Sequence, residues 1–258
     1  MGHRPTTIGS SRKSRHKPGH WISFTGGVSL RIRKSLAEPD TNVTKRALPA
    51  RMKVLFIGNS FTARNNLPEL LARLAESRGQ RLQHRLISAG GASLRMHWNK
   101  GDALKAIQQT RYDYVVLQEQ STLPIKNPVR MHENMRLFDK EIKDSGAKTA
   151  LYLTWARQNA QQTQKAITDA YIAIGEELGA AIVPVGVAWQ NFIRKHSDPV
   201  LHDQDKSHPT LAGAYLAACV FFAALFDESP AGIASDIKGL TKAEIGLLQT
   251  AAWAAVQK

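Results

Sequence analysis

Three short polar segments of this chain hold residue types that together can activate a hydroxyl group. The first is Gly58-Asn59-Ser60, which abruptly ends the apolar run Lys53-Val54-Leu55-Phe56-Ile57. Such a run, rich in β-branched and aromatic residues, reads as a buried strand closing in a tight turn. Ser60 then stands at the carboxyl end of the strand, the edge at which open α/β sheets gather ligands and chemistry. A serine there is a nucleophile, an anion ligand or a helix cap.

The second segment is Leu201-His202-Asp203-Gln204-Asp205-Lys206-Ser207-His208-Pro209-Thr210, a polar loop ahead of an apolar helical stretch. Pro209 suits the first helical position, which puts His208 at the cap. Asp205, three residues earlier, can fold back to accept a hydrogen bond from Nδ1–H of His208. The other ring nitrogen is then free to take a proton from a hydroxyl. Alone, Asp-x-x-His describes a capped helix start equally well. Beside a strand-end serine, it completes the parts of an activated nucleophile.

The third requirement is a set of donors for a developing oxyanion. Ser88-Ala89-Gly90-Gly91-Ala92-Ser93 can bring a backbone N–H close to a substrate, because its glycines leave the backbone open. Gln118-Glu119-Gln120-Ser121 offers side-chain amides. Each also fits an ordinary turn. His97, Trp98 and Trp155 are candidate pocket residues, with a helix-start surface pair and a structural indole as the plainer readings. His202 and Asp203 lie where they can shape the loop of Asp205. Four potential ligands so close in sequence rarely converge on a metal without a helix or hairpin to arrange them. Neither a metal nor a cofactor is expected.

The elements that must position these residues alternate. Val54 to Gly58, Leu82 to Ser88, Tyr114 to Leu117, Thr149 to Thr154 and Ala181 to Trp189 read as strands, the last broken by Pro184 and Gly186. Helical spacing marks Leu67 to Ser77, Ala103 to Gln109, Val129 to Asp144, Gln161 to Leu178, Pro209 to Leu225 and Thr241 to Val256. Strands each followed by a helix imply an α/β fold, a mostly parallel five-stranded sheet with helices on both faces. The continuous apolar Tyr114-Val115-Val116-Leu117 suits a central strand covered on both sides.

Bulk composition sets the limits. The chain has 258 residues, is 43% hydrophobic and carries a formal net charge of +14. Residues 1–51 hold eleven Lys/Arg against two acids, whereas 52–258 hold twenty-four against nineteen, so the basicity belongs mostly to a leader. That leader has no sustained periodicity and reads as disordered. Met52, immediately before the first strand, is a candidate true start, and residues 52–258 form a single domain. The leader has no apolar core of the kind a secretory signal needs, so a cytoplasmic location is expected. It has no interleaved aromatic platform either, so nucleic acid is not an expected partner. No apolar run reaches the roughly 18 residues of a membrane span. The single cysteine, Cys219, lies in an apolar helical stretch and reads as core. Oligomeric state is not legible.

Phe56-Ile57-Gly58-Asn59-Ser60-Phe61-Thr62 resembles the first block of the SGNH (GDSL-like) hydrolase superfamily. Gly90-Gly91-Ala92-Ser93 resembles its second block, and Asp205-Lys206-Ser207-His208-Pro209 its fifth. The blocks occur in family order and span residues 53–210. The resemblance implies a three-layer, flavodoxin-like α/β/α fold and a serine esterase acting on a small-molecule ester. It implies Ser60, Asp205 and His208 as catalytic residues, with N–H groups of Ser60 and Gly91 in the oxyanion hole. In the third block, where the family has Gly-x-Asn-Asp, this chain has Gln118-Glu119-Gln120-Ser121. Gln120 falls at the donor position and Gln118 is the alternative. The same style marks a divergent subgroup known only as a domain of unknown function. The implied ester has a short acyl group on a polar alcohol, such as an acetylated sugar. Two other readings remain: a flavodoxin-like anion or nucleotide module, and a catalytically impaired glycan binder.

Overall fold

A computed structural model describes residues 51–257. The leader expected over 1–51 lies outside the described residues except for Arg51, which is the first residue of strand β1 (Arg51–Gly58). In chain order there follow α1 (Ser60–Ala63), α2 (Leu67–Ser77), β2 (Arg81–Ser88), α3 (Leu94–Lys100) and α4 (Asp102–Gln109). Next come β3 (Tyr114–Leu117), α5 (Leu123–Lys126), α6 (Pro128–Asp144), β4 (Lys148–Tyr152) and α7 (Gln164–Leu178). The chain closes with β5 (Ala181–Val183), α8 (Val185–Lys195), α9 (Leu211–Phe226) and α10 (Lys242–Val256).

All strand pairs are parallel, in the order β2-β1-β3-β4-β5, so β3 is central as its apolar run requires. Alternation along β1 builds two cores. Val54 and Phe56 face α2, α8, α9 and α10, while Leu55 and Ile57 face α4, α6 and α7. Helix α9 is apolar around its whole circumference because it is enclosed by its neighbours, and Cys219 is fully buried within it. The exposed Arg81, Gln83 and Arg85 on edge strand β2 discourage further strand pairing. The order reverses between β1 and β3, the switch point at which doubly wound sheets open a crevice.

Two local expectations are corrected. The run Ala181 to Trp189 is not one broken strand. Pro184 ends β5 after three residues, and Val185, Ala188, Trp189 and Phe192 are buried at helical spacing in α8. Nor does α9 start at Pro209 with His208 as cap. Thr210 is the cap, accepting from Gly213 N–H at 3.2 Å, because a hydroxyl satisfies a free amide that His208-Pro209 leaves unmet. Pro209 instead pairs with His202 in an isolated antiparallel bridge. Helix α3, unread in the sequence, is capped by Ser93 and carries His97 inward.

Candidate active site

Ser60 is the first residue of α1, directly beyond β1, and is half-buried. The turn before it is held by neighbours rather than by Ser60 itself. Asn59, buried, caps α1 through Oδ1 to Phe61 N–H at 3.1 Å and donates from Nδ2 to the Ala92 carbonyl at 3.0 Å. Its own N–H donates to Oε1 of Gln118 at 2.8 Å. A Cβ on Gly58 would lie 2.6 Å from that same oxygen and 2.8 Å from Thr62 Oγ1, so the strand must end in glycine. Capping therefore belongs to Asn59, which leaves the Ser60 hydroxyl free for another partner.

That partner is His208. Ser60 Oγ lies 2.8 Å from His208 Nε2, across 148 residues of sequence. On the far side of the ring, Nδ1 contacts Asp205 Oδ2. The other carboxylate oxygen, Oδ1, accepts from the backbone N–H groups of Ser207 at 3.0 Å and His208 at 2.9 Å. The His208 side chain, then its backbone N–H, hold the Asp205 carboxyl far below the usual range. An ionised carboxylate offers no proton, so Nδ1 of His208 must donate, and in the neutral imidazole Nε2 then accepts from Ser60.

The loop carrying these two residues is braced on all sides. Asp203 N–H donates to the His208 carbonyl at 2.8 Å, and Thr210 N–H to the Leu201 carbonyl at 2.9 Å. Arg64 pairs with Asp203 at 2.7 Å, and Asn65, with φ +55°, donates to the Pro209 carbonyl at 3.0 Å. Trp155 donates from Nε1 to the Ser207 carbonyl at 3.0 Å. Its ring is sandwiched between Phe61, at 4.6 Å, and Trp189, at 3.9 Å. Trp155 is thus a buried strut between the serine segment and the histidine loop, not an exposed platform. His202 sits under the loop, accepting from Trp189 Nε1 at Nδ1 and donating from Nε2 to the Ala156 carbonyl at 3.0 Å.

The amide and glycine segments divide by role. Gln118 is enclosed beneath the Ser60 turn, where Oε1 serves Asn59 and Thr62 and Nε2 donates to the Glu119 carbonyl. One of its two amide hydrogens is committed to that carbonyl, and the whole side chain is shut off from solvent in that pose. Gln120 is half-buried; its Oε1 accepts from Thr122 N–H at 2.9 Å, and its Nε2 has no acceptor among the described residues. Gly91, with φ +67°, is exposed at the tip of the loop that Asn59 anchors through Ala92. His97 and Trp98 both pack inward. His97 is buried with Nε2 2.7 Å from the Gly58 carbonyl, and Trp98 meets Phe138 edge-on in the core.

Glu119 was not singled out by the sequence. It is fully buried and accepts from Leu94 N–H at 3.0 Å, Gln120 N–H at 2.7 Å and Asn134 Nδ2 at 2.9 Å. Burial pushes its carboxyl above the ordinary value, and the three donors offset part of that shift. It ties the amide segment to the first turn of α3 and to α6. The available signal was an acid between two glutamines, two residues past the apolar run of β3. Among the described residues, no group of His, Cys, Asp or Glu is arranged to hold a metal ion, and no helix is long and apolar enough to cross a membrane.

Burial also lowers the affinity of His97 and His202 for a proton below the ordinary histidine value of 6.5. The unfolded chain then binds protons that the folded chain excludes, so stability is complete above about pH 6.5 and falls on acidification. Glu119, shifted upward, acts in the opposite sense. The melting temperature is expected to be flat between about pH 7 and 8 and to fall below about pH 6.5. The His97→Gln/His202→Gln pair should flatten that slope in thermal melts; an unchanged slope would count against these two residues as its source.

No family model matches the chain, and no curated protein does. Solved structures do. A DUF4886 family protein from Bacteroides uniformis superposes with a TM-score of 0.70 at 22% identity, covering 81% of this chain and 95% of its own. A candidate SGNH hydrolase from Slackia heliotrinireducens gives 0.59 at 27% identity, covering 68% of this chain and 99% of its own. A variant of a Geobacillus acetyl-xylooligosaccharide esterase gives 0.57 at 18% identity, covering 69% and 95% respectively.

Proposed function

We propose that this chain, which has the SGNH-hydrolase fold and stands beside a divergent DUF4886 relative, is a serine esterase working through an acyl-enzyme. The observation that carries this reading is the continuous hydrogen-bonded path from Ser60 Oγ through His208 to Asp205. His208 Nε2 takes the serine proton as Oγ attacks the ester carbonyl. The oxyanion faces the N–H groups of Ser60 and Gly91 and the Nε2 amide of Gln120. His208 then gives its proton to the departing alcohol. A water molecule repeats the sequence on the acyl-enzyme, releasing the acid and restoring Ser60. Asp205 stays ionised, fixes the ring tautomer and stabilises the imidazolium.

The two glutamines separate catalysis from scaffold. Gln120→Ala is expected to lower kcat about 100-fold, the usual effect of losing one oxyanion donor, with little change in melting temperature. Gln118→Ala leaves a buried N–H and hydroxyl without their acceptor, and should cost about 1–3 kcal/mol of stability. Steady-state rates and denaturant titrations on both variants check the division. A full-rate Gln120→Ala enzyme would remove Gln120 from the oxyanion hole.

The preferred substrate in this reading carries a short acyl group on a polar alcohol. Support comes by analogy from the acetyl-xylooligosaccharide esterase of the same fold. A p-nitrophenyl ester series from acetyl to palmitoyl, run on wild type and Ser60→Ala, tests it. The fastest turnover is expected at acetyl or butyryl, and a steep rise with chain length would overturn the short-acyl preference. Absence of all turnover, together with no labelling by a fluorophosphonate, would overturn the esterase reading. The flavodoxin-like nucleotide-module alternative finds little support, because Trp155 and Trp189 are both buried and stacked on each other, which leaves neither ring face for a ligand to stack on.

A further inference from the structure

We infer that a cleft between the segments following β3 and β4 receives the alcohol half of the ester and selects alcohols that carry an anionic group. The inference rests on the esterase reading and extends it to the charge of the substrate. The cleft encloses about 380 Å³. One wall runs from Gln120 through Thr122 to Lys126, and the other from Trp155 through Arg157 to Thr163. Buried Trp155, Ala156 and Ile167 form an apolar floor.

Two features give the cleft its charge. Lys126 and Arg157 stand on opposite walls, both exposed, and neither joins an ion pair among the described residues. No carboxylate lines the cleft. The acids of the neighbouring site are already engaged: Asp203 with Arg64, Asp205 with His208, and Glu119 with three donors below the surface. Arg136 and Lys165, by contrast, are paired with Glu177 and Asp169. The mouth therefore presents two uncompensated positive charges above an apolar floor, a field complementary to a carboxylate or phosphate on an amphipathic alcohol.

The assignment to the alcohol half follows from connectivity. The leaving oxygen takes its proton from His208, so the alcohol must lie toward the histidine loop. The Arg157 wall is fastened to that loop by Gln158 N–H donating to the Lys206 carbonyl at 2.9 Å and by Trp155 Nε1 donating to the Ser207 carbonyl. Gln120 on the opposite wall borders the place where the oxyanion forms.

The test compares 4-acetoxybenzoate with 4-acetoxybenzamide, which share an acyl group and nearly a shape but differ in charge. Each kcat/KM is normalised to spontaneous hydrolysis. Wild type is expected to favour the benzoate, and 0.5 M salt should compress that preference. The Lys126→Ala/Arg157→Ala variant should lower the benzoate-to-benzamide ratio about five- to twenty-fold, mainly through KM, as expected for two partly exposed charge contacts. Arg157→Glu should lower the ratio as well. A wild-type ratio near one, or a ratio that the double variant leaves unchanged, overturns the inference while the esterase reading stands. If neither ester is cleaved, the esterase reading fails, and titration calorimetry with 4-hydroxybenzoate decides the cleft alone. Binding that the double variant loses supports the anionic site, and no binding to wild type overturns it.

Discussion

Replacing Ser60 with alanine is expected to remove ester hydrolysis, with kcat falling roughly 10⁶-fold, while the protein melts within a few degrees of wild type. The size of the loss follows from what remains. The N–H donors, the cleft and His208 are all still present, but no oxygen attacks the carbonyl. Only the rate enhancement supplied by oxyanion donors and binding survives, about 10³–10⁴ over water. The small structural effect has a separate cause. Among the described residues, Ser60 Oγ hydrogen-bonds only to His208, whereas the cap of α1 is the side chain of Asn59. Alanine in the first helical turn costs nothing in propensity. Initial rates, thermal melts and mass spectrometry after fluorophosphonate treatment together check the expectation. The adduct should form on wild type and be missing from Ser60→Ala. A Ser60→Ala protein that retains wild-type rates would end the nucleophile assignment.

How much of this was legible beforehand depended on whether the signal was local. Leu67–Ser77 and Tyr114–Leu117 were readable to the residue, because leucine spacing and an unbroken apolar run each favour one period. Asp205 and His208 were legible as a pair because three residues in a loop suffice to close their contact. Val185 to Trp189 was not readable as a helix. A short apolar run fits both periods, and the decision lay with the burial of Ala188, Trp189 and Phe192 against distant neighbours. The partners that brace the site were hidden for the same reason. Arg64 meets Asp203 across 139 residues and Asn134 meets Glu119 across 15, and neither residue type nor spacing announces such pairs.

The two glutamines show the limit most clearly. In sequence they are two amides following the same strand, and only the block resemblance prefers Gln120 over Gln118 as donor. Gln118 still belongs to the ladder, its N–H donating to the Ile57 carbonyl at 2.9 Å, so its side chain is enclosed under the Gly58-Asn59 turn. Gln120 lies past the last ladder bond, where Glu119 holds its backbone N–H and its amide nitrogen stays uncommitted. The position of the final strand hydrogen bond, rather than residue identity, separates a scaffold amide from a candidate donor.

Asp205→Asn is expected to lower kcat about 10⁴-fold with little loss of stability, and the reason lies in which carboxylate oxygen does what. Oδ1 accepts two backbone N–H groups, from Ser207 and His208, so an asparagine at this position must keep its carbonyl oxygen there. Its NH₂ is then turned toward Nδ1 of His208. The ring can meet that donor only by presenting a lone pair at Nδ1, which moves the ring proton to Nε2. His208 now donates toward Ser60 Oγ and cannot take the serine proton. The loop keeps its two backbone bonds, so geometry survives while the tautomer is wrong. Asp205→Ala differs, because it releases both backbone N–H groups as well and should lose stability along with activity. Wild-type Asp205 is held ionised far into acid, so its own protonation does not shape the activity profile near neutrality. Steady-state kinetics and thermal melts on the Asp205→Asn and Asp205→Ala variants separate the two effects. An Asp205→Asn enzyme retaining more than about a tenth of wild-type kcat would show that Asp205 does not set the His208 tautomer.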